Sequence, residues 1–151
     1  MQTVKDIFNS KQKTFNYIDS NALVIDALTM LQTVNLSYLV VMENDQFKGI
    51  FGEREYARNV ILKGRASNST TVKEAMSTEF PVVDHTDSVE HCMNMLNSYK
   101  TRYIVAYDDN GFAGVITIND LLRQIINNKE NIFDQTITEQ LLDTQENDRV
   151  F

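Results

Sequence analysis

The chain repeats itself, and that limits what it can fold into more than any other feature. Gly49-Ile50-Phe51-Gly52-Glu53-Arg54-Glu55-Tyr56 and Gly114-Val115-Ile116-Thr117-Ile118-Asn119-Asp120-Leu121 share one layout at a spacing of 65 residues. The same spacing relates Leu39-Val40-Val41 to Ile104-Val105-Ala106, Phe47 to Phe112, Met30-Leu31 to Met95-Leu96, Val24 to Val89, and Ile18-Asp19 to Val83-Asp84. Further upstream the match slips. Val4-Lys5-Asp6-Ile7 answers Val72-Lys73-Glu74-Ala75 at 68 residues, so the first copy carries three extra residues near Asn9 to Lys13. Two copies are too few for a solenoid, which needs about three or more. They suit two like units packed face to face, with residues 1–66 as the first copy, 67–128 as the second and 129–151 as a C-terminal helix and tail.

Each copy reads as a helical turn followed by strand, helix, strand, strand and helix, an α+β pattern. In the first copy Thr3 caps a turn to Phe8, Asn9 to Thr14 is a polar connection, and Phe15 to Ile18 is a brief strand. Ser20 or Asn21 is expected to cap a helix facing inward through Leu23, Ala27, Leu28 (or Met30) and Leu31. Tyr38 to Met42 reads as a buried strand. It turns through Glu43 to Lys48 into Phe47 to Phe51, and a long helix over Glu53 to Lys63 ends at Gly64. Ala66 to Thr70 links the copies.

In the second copy Thr71 caps Val72 to Met76, and Pro81 to Val83 is the first strand. Asp87 and Glu90 are expected to form a capping box for a helix with Val89, Cys92, Met93 and Leu96 inward. Arg102 to Tyr107 and Phe112 to Thr117 pair across Asp109-Asn110-Gly111, and Asn119 to Asn127 closes the copy. Ile132, Phe133, Ile137, Leu141 and Leu142 form an apolar stripe on a last helix.

Composition removes several functions. Fourteen Lys and Arg against 21 Asp and Glu give a formal charge of −7, which opposes general binding to nucleic acid or anionic membrane. Cys92 is the lone cysteine, so no internal disulfide forms, and neither it nor His85 and His91 stands at metal-ligand spacing. No apolar run is long enough to cross a bilayer, and the N-terminus lacks the layout of a signal peptide, so a cytoplasmic protein is expected. No Ser/His/Asp order or nucleophile elbow is present, so no catalytic residue and no metal are expected.

The corner after Gly114-Val115-Ile116 carries the chemistry. Thr117 and Asp120 lie three apart, so a hydroxyl and a carboxylate share one face of a helix N-terminus. They can form a capping box, or hold a phosphate and a ribose beside free backbone N–H groups.

With repeat, element order and Gly-x-x-Thr-x-x-Asp together, the chain resembles a pair of CBS domains (a Bateman module) from about Val4 to Asn127. Gly52-Glu53-Arg54-Glu55-Tyr56-Ala57-Arg58 and Lys63-Gly64-Arg65 are similar to a stand-alone bacterial subgroup, as is the tail from Ile132 to Leu142. The resemblance implies a regulatory sensor, with two β-α-β-β-α repeats related by a pseudo-twofold axis. It implies an adenosyl ligand in a cleft between them: AMP first, or ADP, ATP, NAD or S-adenosylmethionine. By that resemblance Asp120 would hold the ribose hydroxyls, Thr117 would face a phosphate, and adenine would slot against Pro81, Val82, Tyr103 and Ile104. Arg102 stands at the mouth, with Arg54 and Arg58 as further phosphate contacts. The first copy departs from the pattern, with Gly52 for the hydroxyl and Glu55 for Asp, and Tyr38 is bulky enough to fill its slot, so that site is expected to be weak or empty. The resemblance also implies a homodimer and a protein target. The alternative is a ligand-free, dimerising interaction module.

Overall fold

A computed structural model describes residues 2–11, 16–34 and 37–127, so the expected C-terminal helix lies outside the described residues. The apolar run from Tyr38 becomes β2 (Tyr38–Glu43), which pairs antiparallel with β3 (Gln46–Gly52). Asn44 and Asp45 take the left-handed conformation at φ 52° and 63°, the geometry of a two-residue hairpin turn. β1 (Tyr17–Asp19) lies parallel to β2, which requires a crossover, and α2 (Val24–Thr33) supplies it. The second copy repeats the plan with β4 (Val82–Asp84), α5 (Val89–Tyr99), β5 (Tyr103–Asp108) and β6 (Gly111–Thr117). Single hydrogen bonds recur at the same spacing. Val40 N–H donates to the Asn16 carbonyl at 2.8 Å and Val105 N–H to the Pro81 carbonyl at 3.0 Å.

The short helices change sides. α1 (Val4–Ser10) and α4 (Val72–Ala75) each pack with the sheet of the other copy. Residues 2–11 and 80–127 thus form one compact unit, here the later unit, and residues 16–34 and 37–79 form the earlier unit. Sequence repeats and compact units are therefore different divisions of the chain. The cause lies in first-turn amides, which have no acceptor inside their own helix. Val4 and Lys5 N–H donate to the carbonyls of Asp87 and His85, at 2.9 and 3.0 Å. Val72 and Lys73 N–H make the matching bonds to Ala22 and Ser20, at 2.8 and 2.9 Å. Thr71 caps α4 as expected, in a capping box completed by Glu74, and the Thr3 N–H donates to Asp6 Oδ2 at 2.9 Å.

Apolar burial holds each unit together, at about 1.5–3 kcal/mol for each fully buried large aliphatic side chain. Val4, Ile7, Cys92, Ile104, Ile116 and Leu121 are centred in the later core, and Val24, Leu39, Phe51, Val60 and Val72 in the earlier one. Each exchanged segment lies close against a glycine. A Cβ on Gly114 would meet Phe8 Cε1 at 2.7 Å, and one on Gly49 would run into the Ser77 carbonyl oxygen.

Several local expectations are corrected. Helix α2 is not capped by Ser20 or Asn21. Its N-cap is Leu23, and Val24 and Ile25 N–H are satisfied by the Thr70 and Ser67 carbonyls of the linker. Asp87 does not cap α5 either. Its Oδ2 accepts from Asp84 N–H at 2.8 Å, and Ser88 caps the helix by accepting from His91 N–H. The first strand is β1 at Tyr17–Asp19, and Phe15 lies outside the described residues.

The helix after Gly52 is regular only over α3 (Glu53–Tyr56) and continues as a π-helical turn, Ala57–Ile61. That turn is tied to the α4 segment. Asn59 Nδ2 donates to the Ala75 carbonyl, while Arg65 Nη1 bridges the Asn59 and Glu74 carbonyls.

Candidate functional site

Thr117 ends β6 opposite Tyr103 and leads directly into α6 (Ile118–Asn127). Thr117 N–H donates to Asp120 Oδ2 at 2.9 Å, and Asp120 N–H donates to Thr117 Oγ1 at 3.2 Å. The capping box expected as one of two readings is therefore formed. A third group joins it. Lys11 Nζ donates to Asp120 Oδ2 at 2.8 Å and to the Val115 carbonyl at 2.9 Å. Among the described residues Asp120 Oδ1 takes no hydrogen bond, and the Lys11 and Asp120 side chains stay 19% and 12% exposed.

The three-residue slip explains how Lys11 arrives. Helix α1 has seven residues where α4 has four, close to one further turn, and that turn delivers Lys11 to the corner.

The other expected contacts divide. Pro81 is buried with its carbonyl accepting from Val105 N–H, and Phe80 meets Tyr103 edge-on at 6.5 Å. Val82 is exposed beside them, and Arg102 is half-buried just before β5. The Ile104 side chain lies wholly within the core, so it offers a ligand only main chain. Asn119 is buried, and among the described residues its Oδ1 has no hydrogen-bond partner. Arg54 and Arg58 are exposed on the earlier unit.

The equivalent corner of the earlier unit is closed by its own backbone and side chains. Gly52 offers no hydroxyl, and a Cβ there would meet the Ser37 carbonyl at 2.5 Å. Glu55 is turned into the protein and accepts from Ser77 Oγ at 3.1 Å. Burial raises the Glu55 pKa above the ordinary carboxylate range, against the opposing pull of the Ser77 hydroxyl and nearby backbone N–H groups. Tyr38 is buried beside Gly52. Ser77 reaches Glu55 because it bridges Ile50 through paired backbone bonds of 2.9 and 3.0 Å. The matching carbonyl in the later unit, Val115, takes Lys11 instead.

Among the described residues no cluster of three or more His, Cys, Asp or Glu is placed to hold a metal. No described helix is long and apolar enough to cross a membrane.

The family model described as "CBS domain" matches residues 72–127, from the first residue of α4 to the last of α6. Over those residues the chain is similar to the CBS-domain family. Among curated CBS-domain proteins, the mitochondrial CBSX3 of Arabidopsis thaliana is 29% identical over 82% of this chain and 65% of its own length. The chain thus spans just under two thirds of that relative. YhcV of Bacillus subtilis is 26% identical over 80% of this chain and 84% of its own. A solved structure of a protein with CBS domains from Burkholderia ambifaria superimposes with a TM-score of 0.76 at 29% identity, covering 88% of this chain and all of the other. The two three-stranded sheets and their helices match tandem CBS repeats in structure.

Proposed function

We propose that this CBS pair is a regulatory module that binds an adenine nucleotide, AMP first among them, at the Thr117–Asp120 corner of the later unit. The contrast between the two corners carries the reading. In one, a partly exposed carboxylate keeps an oxygen for a sugar hydroxyl beside a hydroxyl, an ammonium and a helix N-terminus. In the other, the carboxylate is buried against a serine and the hydroxyl is missing. Pro81, Val82 and Tyr103 would flank the base, and Arg102 the phosphate. A protein of the same fold, CBSX2, was solved in complex with AMP and has a TM-score of 0.68 to this chain. Binding would act on a homodimer or a protein target by favouring whichever state holds the ligand better.

Thermal melts with AMP, ADP, ATP, NADH and S-adenosylmethionine test the reading on protein freed of bound nucleotide. A ligand at about a hundred times its dissociation constant adds about 2.7 kcal/mol to stability. No shift with any of the five would overturn it.

The second reading, a ligand-free interaction module, is favoured by Lys11 already holding Asp120 and by the exposure of Ile61 and Leu62 on the earlier unit. The chain has no Trp, so adenine carried through purification is visible in the ratio of absorbance at 260 to 280 nm. Adenine in that ratio, together with a nucleotide-induced shift in the melts, would exclude the second reading.

A further inference from the structure

We infer that Lys11 sets the charge preference of the Thr117–Asp120 corner, so that it takes a phosphorylated nucleoside over the unphosphorylated one. The inference rests on the nucleotide reading above and adds to it a residue from outside the Gly-x-x-Thr-x-x-Asp motif.

A carboxylate that grips a ribose also repels the phosphate the same ligand carries. Asp120 would face that conflict alone without Lys11. With the ammonium 2.8 Å from Oδ2, the pair is neutral as a whole. Two N–H groups of Lys11 are engaged by Asp120 and Val115, and among the described residues the third has no acceptor. The N-terminus of α6, a ten-residue helix, adds partial positive charge to the same place. The balance therefore favours an anion beside the sugar.

The chain contains its own comparison. Glu55 occupies the position equivalent to Asp120, and its partner is a neutral hydroxyl in a buried setting. Arg54 acts on that carboxylate through space without forming an ion pair among the described residues, and burial outweighs it, so the raised pKa favours the uncharged acid. The difference comes from the longer α1 and the exchange that packs it into the later unit. The same three residues that break the repeat spacing bring a directly bonded cation to the Asp120 corner, which the Glu55 corner lacks among the described residues.

Affinities for AMP and adenosine, measured by calorimetry on the full chain, test this with Lys11→Gln and Lys11→Arg. Gln keeps a hydrogen-bond donor and loses the charge, while Arg keeps both. Lys11→Gln should lose about tenfold or more in AMP affinity, as expected for one charge-assisted hydrogen bond, and change little toward adenosine. Lys11→Arg should retain the preference for AMP. An equal loss for both ligands in Lys11→Gln would mean that Lys11 only supports the fold, and overturns the inference. So would unchanged or tighter AMP binding, the latter showing that the lysine competes with the ligand for Asp120. If no protein binds either ligand, the nucleotide reading itself fails and this inference falls with it.

Discussion

Gly52→Ala adds one methyl group where the earlier corner has no room for it. The new Cβ would lie 2.5 Å from the Ser37 carbonyl oxygen, far inside van der Waals contact. That oxygen belongs to the backbone just before β2, and Tyr38 is held in register opposite Gly52, so no flexible side chain can give way. Such overpacking costs about 1–3 kcal/mol. A gain opposes it: replacing glycine where the backbone is extended removes unfolded-state freedom, worth about 0.4–1 kcal/mol. Gly52 has φ −154° and ψ −168°, which alanine adopts without strain, so this gain applies in full. The clash wins, and the net loss is about 1–2 kcal/mol. For a chain of this size that lowers the melting temperature by roughly 3–6 °C. Circular dichroism melts measure the loss. Gly52→Ser, which restores a hydroxyl through the same Cβ, should lose as much and create no second nucleotide site in calorimetry. Wild-type stability in both variants, or two bound nucleotides per chain in Gly52→Ser, would refute the claim that this corner is closed.

Glu55 and Cys92 supply two further tests. Burial raises the folded pKa of Glu55, so the folded state holds that proton to higher pH than the unfolded chain does. Its effect on stability is therefore a loss as pH rises from the ordinary carboxylate range through the raised value. Glu55→Gln should melt higher than wild type above that window and lose the excess below it; a pH-independent difference contradicts the assignment. Burial, with Asp87 adding to it, pushes the Cys92 thiol up to about 11, so it should not react with a disulfide reagent at pH 8 until the chain unfolds. Complete labelling of native protein within minutes would show the later core to be open.

The 65-residue spacing made the hairpins, the crossover helices and the apolar cores legible, because each depends on local period and turn chemistry. The caps of α2 and α5 were less so. The α2 amides are met by linker carbonyls at Ser67 and Thr70, more than 40 positions away, and no local pattern reports that. Asp87 looked like a cap because its spacing to Glu90 fits one, yet it turns back onto β4. The exchange of α1 and α4 left one trace, the slip from 65 to 68 residues, and that slip also marks Lys11. Its partner Asp120 lies 109 positions along the chain, so only the folded structure joins them. The Glu55 corner differed visibly in sequence through Gly52, but the role of Ser77 follows from a backbone bridge that the sequence does not announce.

The central claim is that Asp120, and not Glu55, holds the ligand's sugar. AMP titrations of Asp120→Asn and Glu55→Gln, followed by calorimetry, test it most directly. Loss of hydrogen bonds to a charged acceptor is worth about 1.5–3 kcal/mol, so Asp120→Asn should bind roughly 10- to 100-fold more weakly while Glu55→Gln binds as wild type does. Wild-type affinity in Asp120→Asn, or a comparable loss in Glu55→Gln, would contradict the account.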